Sequence, residues 1–222
     1  MPLPTIFLID DHPLVREALA WKIDVQEHLN VCGQAATRND ALNSILAVEP
    51  DLCLTDIDLP DGSGLELMKD VHAHMPKMNF LFFSMFDELT YAPRVIAAGA
   101  KGYLMKDSAP ETVIDAIQKV LSGEIFVSAA ATQKIMSSRQ RDGRSGVELL
   151  SDREMEVFLA IGRGKTSKRI ADELSLSPKT IDTHRDRIKS KLGLVDAAEL
   201  ARTAVLFMSR PSDTSPSSSV AS

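Results

Sequence analysis

The sequence predicts an α/β domain with a doubly wound parallel sheet, followed by a small domain made only of helices. From residue 5 to 122, five short apolar runs alternate with five segments of helical periodicity. From residue 148 to 208, only helical patterns occur. The length of 222 residues suits two small domains better than one large domain.

The five apolar runs are predicted strands, and their nearly continuous apolar character is typical of strands buried on both faces of a parallel sheet. They read TIFLID, NVCGQAA, DLCLTD, MNFLFFS and AKGYLM. The predicted helices between and after them lie near residues 13–28, 39–48, 64–74, 88–98 and 110–121. Strands and helices of this length form right-handed βαβ units, whose sites lie at the carboxyl ends of the strands.

The C-terminal helices have recognisable starts. Ser151 is a predicted N-cap, and Glu154 three residues later completes a capping box. Gly162 and Gly164 are predicted to end this helix, and KTSKRIADEL forms a second one. Ser177 is the predicted cap of the next helix, PKTIDTHRDRIKSKL, with proline in its first position. The tripeptide SLS joins these two helices in a tight turn. Two helices with so short a connection, the second polar and basic, indicate a helix-turn-helix, although a generic helical bundle can have the same caps and turns.

These patterns divide the chain into four parts. The α/β domain takes residues 1–122, and a linker with one short helix takes 123–147. The helical domain takes residues 148–210, and a low-complexity tail, predicted to be disordered, takes 211–222. Within the linker, SSRQRDGRSG is polar, charged and glycine-containing.

Composition narrows the class of protein. No run of 18 apolar residues exists, which predicts that no segment spans a membrane, and the N-terminus reads as a strand and not as a signal peptide. Cys32 and Cys53 lie in strand-like contexts without metal spacing, as in a cytoplasmic protein with reduced thiols. Residues 1–122 carry 18 acidic and 9 basic side chains, whereas residues 163–191 carry nine basic and four acidic ones. The basic segment is either a polyanion-binding surface or a solvated face.

Polar residues stand at the ends of four predicted strands. Asp10 and Asp11 follow the first strand, Asp56 ends the third, Ser84 ends the fourth and Lys106 follows the fifth. In a parallel sheet these strand ends lie at one edge, so the carboxylates of Asp10, Asp11 and Asp56 converge. Because they repel one another, they need a cation. Mg²⁺ fits, because it prefers carboxylate, carbonyl and water oxygens in octahedral geometry.

Such a site suits phosphoryl chemistry. Asp56 beside a metal is a candidate nucleophile, while Ser84 and Lys106 can bind phosphoryl oxygens. Each residue alone also has a structural interpretation: Asp11 could cap the following helix, and a lysine after a strand is commonly solvated. The occurrence of these residue types in this order on strands one, three, four and five favours the site.

The same motifs resemble the receiver domain of two-component response regulators, a flavodoxin-like (βα)5 fold. LIDDHPLVREAL, LTDIDLPDGSGLEL, FFSM and GYLMKDSAPE carry the resemblance. It implies that Asp56 accepts phosphate from a histidine kinase and that Asp10 and Asp11 bind the metal, with the backbone carbonyl of Asp58 as a further ligand. It also implies that Ser84 and Lys106 detect the phosphorylated state. Tyr103 resembles the aromatic switch residue that packs inward when Ser84 moves toward the phosphate.

The helical domain resembles the LuxR-type DNA-binding domain, so the whole chain is similar to the NarL/FixJ family of transcriptional regulators. LSDREMEV and SKRIADELSLSPKTIDTHRDRIKSKLGL carry this resemblance. It places the recognition helix at about 178–192 and implies contacts to bases or their rim from Thr180, Asp182, Thr183 and Asp186. It implies phosphate contacts from Lys168, Lys179, Arg185, Arg187 and Lys189. Relatives often carry lysine in place of Asp182, and an aspartate accepts from cytosine while repelling phosphate.

The function these features predict is a transcription factor controlled by phosphorylation of Asp56. Phosphorylation with Mg²⁺ would shift the population toward a state that dimerises or releases the helix-turn-helix. The last helix, near 196–208, is a dimer contact by resemblance or part of the domain core. Two alternatives stay open. The Asp56-Ile57-Asp58 motif is shared with aspartyl-phosphate phosphatases, which are enzymes, and a regulator could also bind DNA without being phosphorylated.

Overall fold

The structure is a computed structural model that describes residues 2–138, 146–174 and 176–209. Most of the predicted polar linker and the whole of the predicted tail therefore lie outside the described residues. Two regions of regular structure follow each other along the chain: a five-stranded sheet with its helices, and a group of helices from Gly146 onward.

The sheet is parallel, and it explains how distant residues reach one edge. Its order is β2-β1-β3-β6-β7, so the strands that end in polar residues are neighbours. The strands are β1 (Thr5–Ile9), β2 (Asn30–Ala35), β3 (Leu52–Thr55), β6 (Asn79–Ser84) and β7 (Gly102–Met105). The strands β4 (Asp58–Leu59) and β5 (Gly62–Ser63) form a separate two-residue hairpin.

Helices cover both faces of the sheet, as the doubly wound prediction requires. They are α1 (Pro13–Asp24), α2 (Arg38–Val48), α3 (Gly64–His74), α4 (Glu88–Ala97) and α5 (Pro110–Leu121). Ile6 and Leu8 of β1 pack with α1 and α5 on one face, whereas Phe7 and Ile9 pack with α2, α3 and α4 on the other. The alternation of β1 side chains between the two cores follows from the period of two in a strand.

Three details differ from the sequence prediction. Helix α1 ends at Asp24 and not near residue 28, and the hairpin β4–β5 was not predicted. Phe126, in the predicted linker, pairs with the open edge of β7: its carbonyl accepts from the backbone N–H of Tyr103 at 2.9 Å. The short helix predicted after it is present as α6 (Ala129–Ser138), which packs against α4.

The C-terminal helices follow a short 3₁₀ helix, Gly146–Leu149. They are α7 (Asp152–Gly162), α8 (Ser167–Glu173), α9 (Pro178–Leu192) and α10 (Ala197–Met208). Ser151 forms the predicted capping box and Ser177 the predicted N-cap. Ile181 and Ile188 of α9 are buried, whereas His184, Leu192 and Leu174 are only half-buried.

Helix α10 belongs to the core of its own domain. Leu200 and Ala204 are fully buried against α7, while Val205 and Leu206 are exposed. Gly162 permits this packing, because a Cβ there would lie 2.9 Å from the carbonyl oxygen of Ala204. Gly162 therefore ends α7, as predicted, and also allows α10 to pack closely against it.

Glu154 connects the cap of α7 to the end of α9. Its carboxylate accepts from the backbone N–H of Ser151 at 2.7 Å and from Lys191 Nζ at 2.6 Å. Burial raises the pKa of Glu154, but the hydrogen bonds from Lys191 and Ser151 outweigh it, and the net pKa is lowered. The ionised carboxylate thus joins two helices of the domain.

In the described part of the chain, no helix has both the length and the apolar character that crossing a membrane requires. Cys32 and Cys53 are free thiols, half-buried and buried respectively.

Candidate functional site

The carboxyl ends of β1, β3, β6 and β7 bring the predicted polar residues together. Asp10 and Asp56 are almost completely buried, with exposed fractions of 2% and 5%. The backbone N–H of Asp56 donates to the carbonyl of Ile9 at 2.8 Å, which fixes β3 beside β1 at this edge. Asp11, by contrast, is exposed at the mouth of the site.

Both carboxylate oxygens of Asp56 are engaged. Ser84 Oγ donates to Oδ1 at 2.6 Å, and Lys106 Nζ lies 2.6 Å from Oδ2. Lys106 Nζ also lies 2.6 Å from Asp10 Oδ2, so one ammonium bridges two buried carboxylates. Burial alone would lower the pKa of Lys106, but Asp56 and Asp10 outweigh it and the net pKa is raised. The lysine therefore stays charged at physiological pH.

The site contains a donor set suited to a hard dication. Ligand atoms of Asp10, Asp11, Asp56 and His12 all lie within 4.8 Å of one another. The three carboxylates match the preference of Mg²⁺ for oxygen ligands. Sequence reasoning missed His12, whose Nδ1 lies 2.7 Å from Asp11 Oδ1 and 3.1 Å from Asp10 Oδ1. Its position directly after the acidic pair was the available signal.

The backbone around Asp56 is closely packed. A Cβ at Gly64 would lie 2.0 Å from the carbonyl oxygen of Asp56, so only glycine permits α3 to begin at this position. The N–H of Gly64 donates to the carbonyl of Ile57 at 2.8 Å. Asp58 donates its backbone N–H to Asp56 Oδ1 at 3.3 Å, which places it at the rim of the site.

Tyr103 is fully buried on β7, and its hydroxyl donates to the carbonyl of Phe86 at 2.6 Å. Burial raises the pKa of Tyr103 well above its usual value, so the hydroxyl keeps its proton and donates. Tyr103 is thus already inward while Ser84 contacts the Asp56 carboxylate, whereas the resemblance implies inward packing when Ser84 moves toward a phosphate. Because Phe126 pairs with the same strand, Tyr103 is connected through the backbone to the segment leading into α6.

The predicted DNA contacts lie on α8 and α9. Helix α9 buries Ile181 and Ile188, which turns its opposite face outward. Of the nine predicted contact residues, three are half-buried, namely Thr180, Arg185 and Lys189. The other six are exposed: Lys168, Lys179, Asp182, Thr183, Asp186 and Arg187. The outward face of α9 is therefore exposed, and the major groove of DNA is wide enough to admit an α-helix.

A polar interface joins the two regions, which the sequence did not predict. Helix α7 lies against the β4–β5 hairpin, α3 and α4. The contacts are ion pairs of Asp58 with Arg163, of Glu66 with Arg153 and of Lys69 with Asp152, and a hydrogen bond from Arg94 to the carbonyl of Val147. The Asp58–Arg163 pair connects the rim of the acidic site directly to the helical domain.

This interface is incompletely satisfied. The hydroxyl of Tyr91 and Oε1 of Glu156 are buried, and neither has a hydrogen-bond partner among the described residues. Unsatisfied buried polar atoms reduce the stability of an interface. These two atoms therefore weaken the docking of α7.

The raised pKa of Glu156 predicts that this docking depends on pH. Burial and the nearby Glu66 raise the pKa of Glu156 to about 7 from an ordinary 4.5, and Arg153 opposes them. We therefore expect the docked form to hold a proton on Glu156 that an open form, with an ordinary pKa, would release. Lowering the pH from about 7 toward 4.5 stabilises docking, and raising it through 7 removes that stabilisation, at most about 3 kcal/mol.

We expect Glu156→Gln to remove the pH step near 7, because its amide mimics the protonated acid. The radius of gyration from small-angle X-ray scattering between pH 6 and 8.5 measures this: the native chain expands with rising pH and the variant does not. Burial also raises the pKa of Asp58 to about 6. A second pH step near 6 should therefore be retained in both the native chain and the variant. Identical profiles near pH 7 would contradict the role of Glu156.

Comparisons with known proteins agree with this architecture. A family model described as response regulator receiver domain matches residues 6–118, and a model described as bacterial regulatory proteins, luxR family, matches residues 148–204. The transcriptional activator protein ExaE of Pseudomonas putida is 35% identical over 205 residues, which cover 90% of this chain and 95% of ExaE.

Solved structures share the fold. The RcsB response regulator of Salmonella typhimurium matches with a TM-score of 0.76 at 22% identity, over 93% of this chain and 99% of that chain. A structure of RcsB from Salmonella enterica serovar Typhimurium, bound to promoter rprA in the presence of the phosphomimetic BeF3⁻, matches with a TM-score of 0.72 at 22% identity, over 92% and 99% of the chains.

A receiver-type sheet with an acidic edge, followed by a helix-turn-helix, defines a response regulator with a LuxR-type DNA-binding domain. The chain belongs to the NarL/FixJ family of two-component response regulators.

Proposed function

We propose that Asp56 accepts a phosphoryl group from a sensor histidine kinase and that this modification controls binding of the C-terminal domain to DNA. The observation that carries the proposal is the engagement of both Asp56 oxygens by Ser84 and Lys106 on neighbouring strand ends. The receiver comprises residues 1–122 and the DNA-binding domain residues 148–210. As a regulator of chromosomal DNA, the protein acts in the cytoplasm.

The chemistry follows from the residues at the sheet edge. A carboxylate oxygen of Asp56 attacks phosphorus, a P–O bond forms, and the P–N bond to the kinase histidine breaks. Asp10, Asp11, Asp56 and the backbone carbonyl of Asp58 would hold Mg²⁺, which neutralises charge on the phosphoryl group. Lys106 pairs with one phosphoryl oxygen, and Ser84 donates a hydrogen bond to another.

The switch follows from what these residues contact before and after the transfer. Ser84 and Lys106 leave the Asp56 carboxylate for the phosphoryl oxygens, and Tyr103, which already lies inward on the strand beside Ser84, keeps that position. The new state differs at the rim residue Asp58, whose partner is Arg163, the residue that follows α7. Phosphorylation thereby favours release of the helical domain and formation of a homodimer on DNA.

DNA contact is assigned to the exposed parts of α8 and α9. Base edges or their rim are contacted by Thr180, Asp182, Thr183 and Asp186, and phosphates by Lys168, Lys179, Arg185, Arg187 and Lys189. Support comes from the outward face of α9, from the family and from the promoter complex of RcsB, whose fold this chain shares. The exposed Val205 and Leu206 of α10 are proposed as part of the dimer contact.

The aspartyl-phosphate phosphatase alternative makes a different kinetic prediction. We expect radiolabelled acetyl phosphate with Mg²⁺ to label the protein stoichiometrically, without turnover of p-nitrophenyl phosphate. Chelation of Mg²⁺ should prevent labelling. Sustained hydrolysis of the phosphomonoester would favour the enzyme, and absence of labelling at saturating acetyl phosphate would contradict the proposed function.

A further inference from the structure

The outward face of α9 carries a carboxylate where a polyanion would approach. Lys179, Asp182, Thr183, Asp186 and Ser190 are exposed and follow the helical spacing of one stripe, opposite the buried isoleucines of α9. In a helix-turn-helix, residues in the N-terminal half of this stripe approach base edges. Asp182 is the fifth residue of α9 and lies in that half.

Asp182 is held in place without being neutralised. The hydroxyl of Ser167, the first residue of α8, donates to Asp182 Oδ1 at 2.9 Å. The other acid of the stripe, Asp186, has an ion pair with Lys189 at 3.0 Å. Within residues 146–174 and 176–209, no ion pair of 4.0 Å or less includes Asp182. The structure therefore presents an oriented negative charge on the face that DNA would contact.

A carboxylate in this position discriminates among bases. It only accepts hydrogen bonds, so it is repelled by phosphates and by the acceptor edges of guanine and thymine. The N4 amino group of cytosine is a major-groove donor that satisfies it. Adenine also presents an amino group, but its neighbouring N7 is an acceptor that suits an amide better than a carboxylate.

We infer that Asp182 selects a cytosine in the DNA site and that Ser167 fixes the orientation of its carboxylate. The inference rests on the proposed DNA-binding function and adds to it a base preference. A purely structural role of the Ser167–Asp182 hydrogen bond, joining α8 to α9, makes a different prediction: substitution would lower the stability of the domain without changing which base is preferred.

The test is selection from a randomised duplex library by the full-length protein with Mg²⁺ and BeF3⁻, followed by sequencing. The variants are Asp182→Asn, Asp182→Ala and Ser167→Ala, with Asp172→Asn as a control for loss of an exposed acid on α8. We expect one position where the native chain prefers cytosine by roughly 5- to 100-fold. Asp182→Asn shifts that position to adenine, Asp182→Ala removes its preference, and Ser167→Ala weakens it without changing the base.

The outcomes separate this inference from the proposed function. If the native chain enriches specific sequences and both Asp182 variants keep the same base at every position, the inference is overturned and DNA binding stands. Enrichment without any preferred cytosine overturns it equally. If the native chain enriches no sequence, the proposed function itself fails. Thermal unfolding of each variant shows whether a changed preference accompanies a folded domain.

Discussion

Asp56→Asn is expected to abolish phosphoryl incorporation and, with it, the gain in DNA affinity that phosphorylation produces. The amide is not a nucleophile toward phosphorus, and it removes one charged ligand from the acidic site. The coupling between an effector and a second ligand is typically about 5- to 150-fold, and that factor should disappear. Labelling by acetyl phosphate and fluorescence anisotropy with operator DNA measure the two effects.

The fold should tolerate this change. Lys106 retains its contact with Asp10 at 2.6 Å, and the amide oxygen can still accept from Ser84 or from Lys106. Circular dichroism should therefore show native helix content. Asp115→Asn makes the same chemical change at an exposed position of α5 and should leave both labelling and DNA binding unaffected.

Comparison of Asp56→Asn with the native chain decides between a phosphorylation switch and a constitutive DNA-binding regulator. If phosphorylation raises the DNA affinity of Asp56→Asn as much as that of the native chain, Asp56 is not the phosphoacceptor. If phosphorylation leaves the DNA affinity of the native chain unchanged although Asp56 is labelled, the regulator binds DNA independently of its receiver.

The acidic site could be predicted from the sequence because its geometry follows from a general rule. Apolar runs mark the strands, parallel strands end at one edge, and the polar residue after each run therefore belongs to that edge. Asp10, Asp56, Ser84 and Lys106 meet as this rule requires. The helix caps at Ser151 and Ser177 could also be predicted from the sequence, because capping depends on residues within one helical turn.

Features that depend on tertiary placement could not be read in this way. Phe126 lies in a short segment between polar residues, and it pairs only because β7 offers an open edge. The hairpin at Asp58 is too short to show a strand period. Arg163 reads as a surface charge in its own segment, and nothing local indicates that its partner lies more than a hundred residues earlier.

Charge reversal at Arg163 should open the protein without phosphorylation. Arg163→Glu places a carboxylate against Asp58 and near the half-buried Glu156, where the native chain has an attractive pair. The pair is partly buried, so its loss should cost between the value of a surface pair and that of a buried one, about 1–3 kcal/mol. This shifts the docking equilibrium roughly 5- to 150-fold toward the open form.

Opening of the docked domains should increase the affinity for DNA with two half-sites more than the affinity for DNA with one half-site. The outward stripe of α9 is already exposed while α7 is docked, so docking restricts where the DNA-binding domain can lie and does not cover its recognition face. A dimer must place two such faces about one helical turn of DNA apart. Arg163→Glu should therefore raise the affinity of the unphosphorylated protein for DNA with two half-sites and leave its affinity for one half-site nearly unchanged.

A double-mutant cycle assigns the effect to the ion pair itself. The swap Asp58→Lys with Arg163→Glu restores opposite charges and should recover docking, measured as the distance between spin labels on the two domains. Arg169→Glu controls for charge, because Arg169 is exposed and pairs with Glu173 inside its own domain. If the swap is as open as Arg163→Glu alone, the Asp58–Arg163 pair does not hold the domains together. If Arg169→Glu opens the protein equally, the cause is the net charge of the domain.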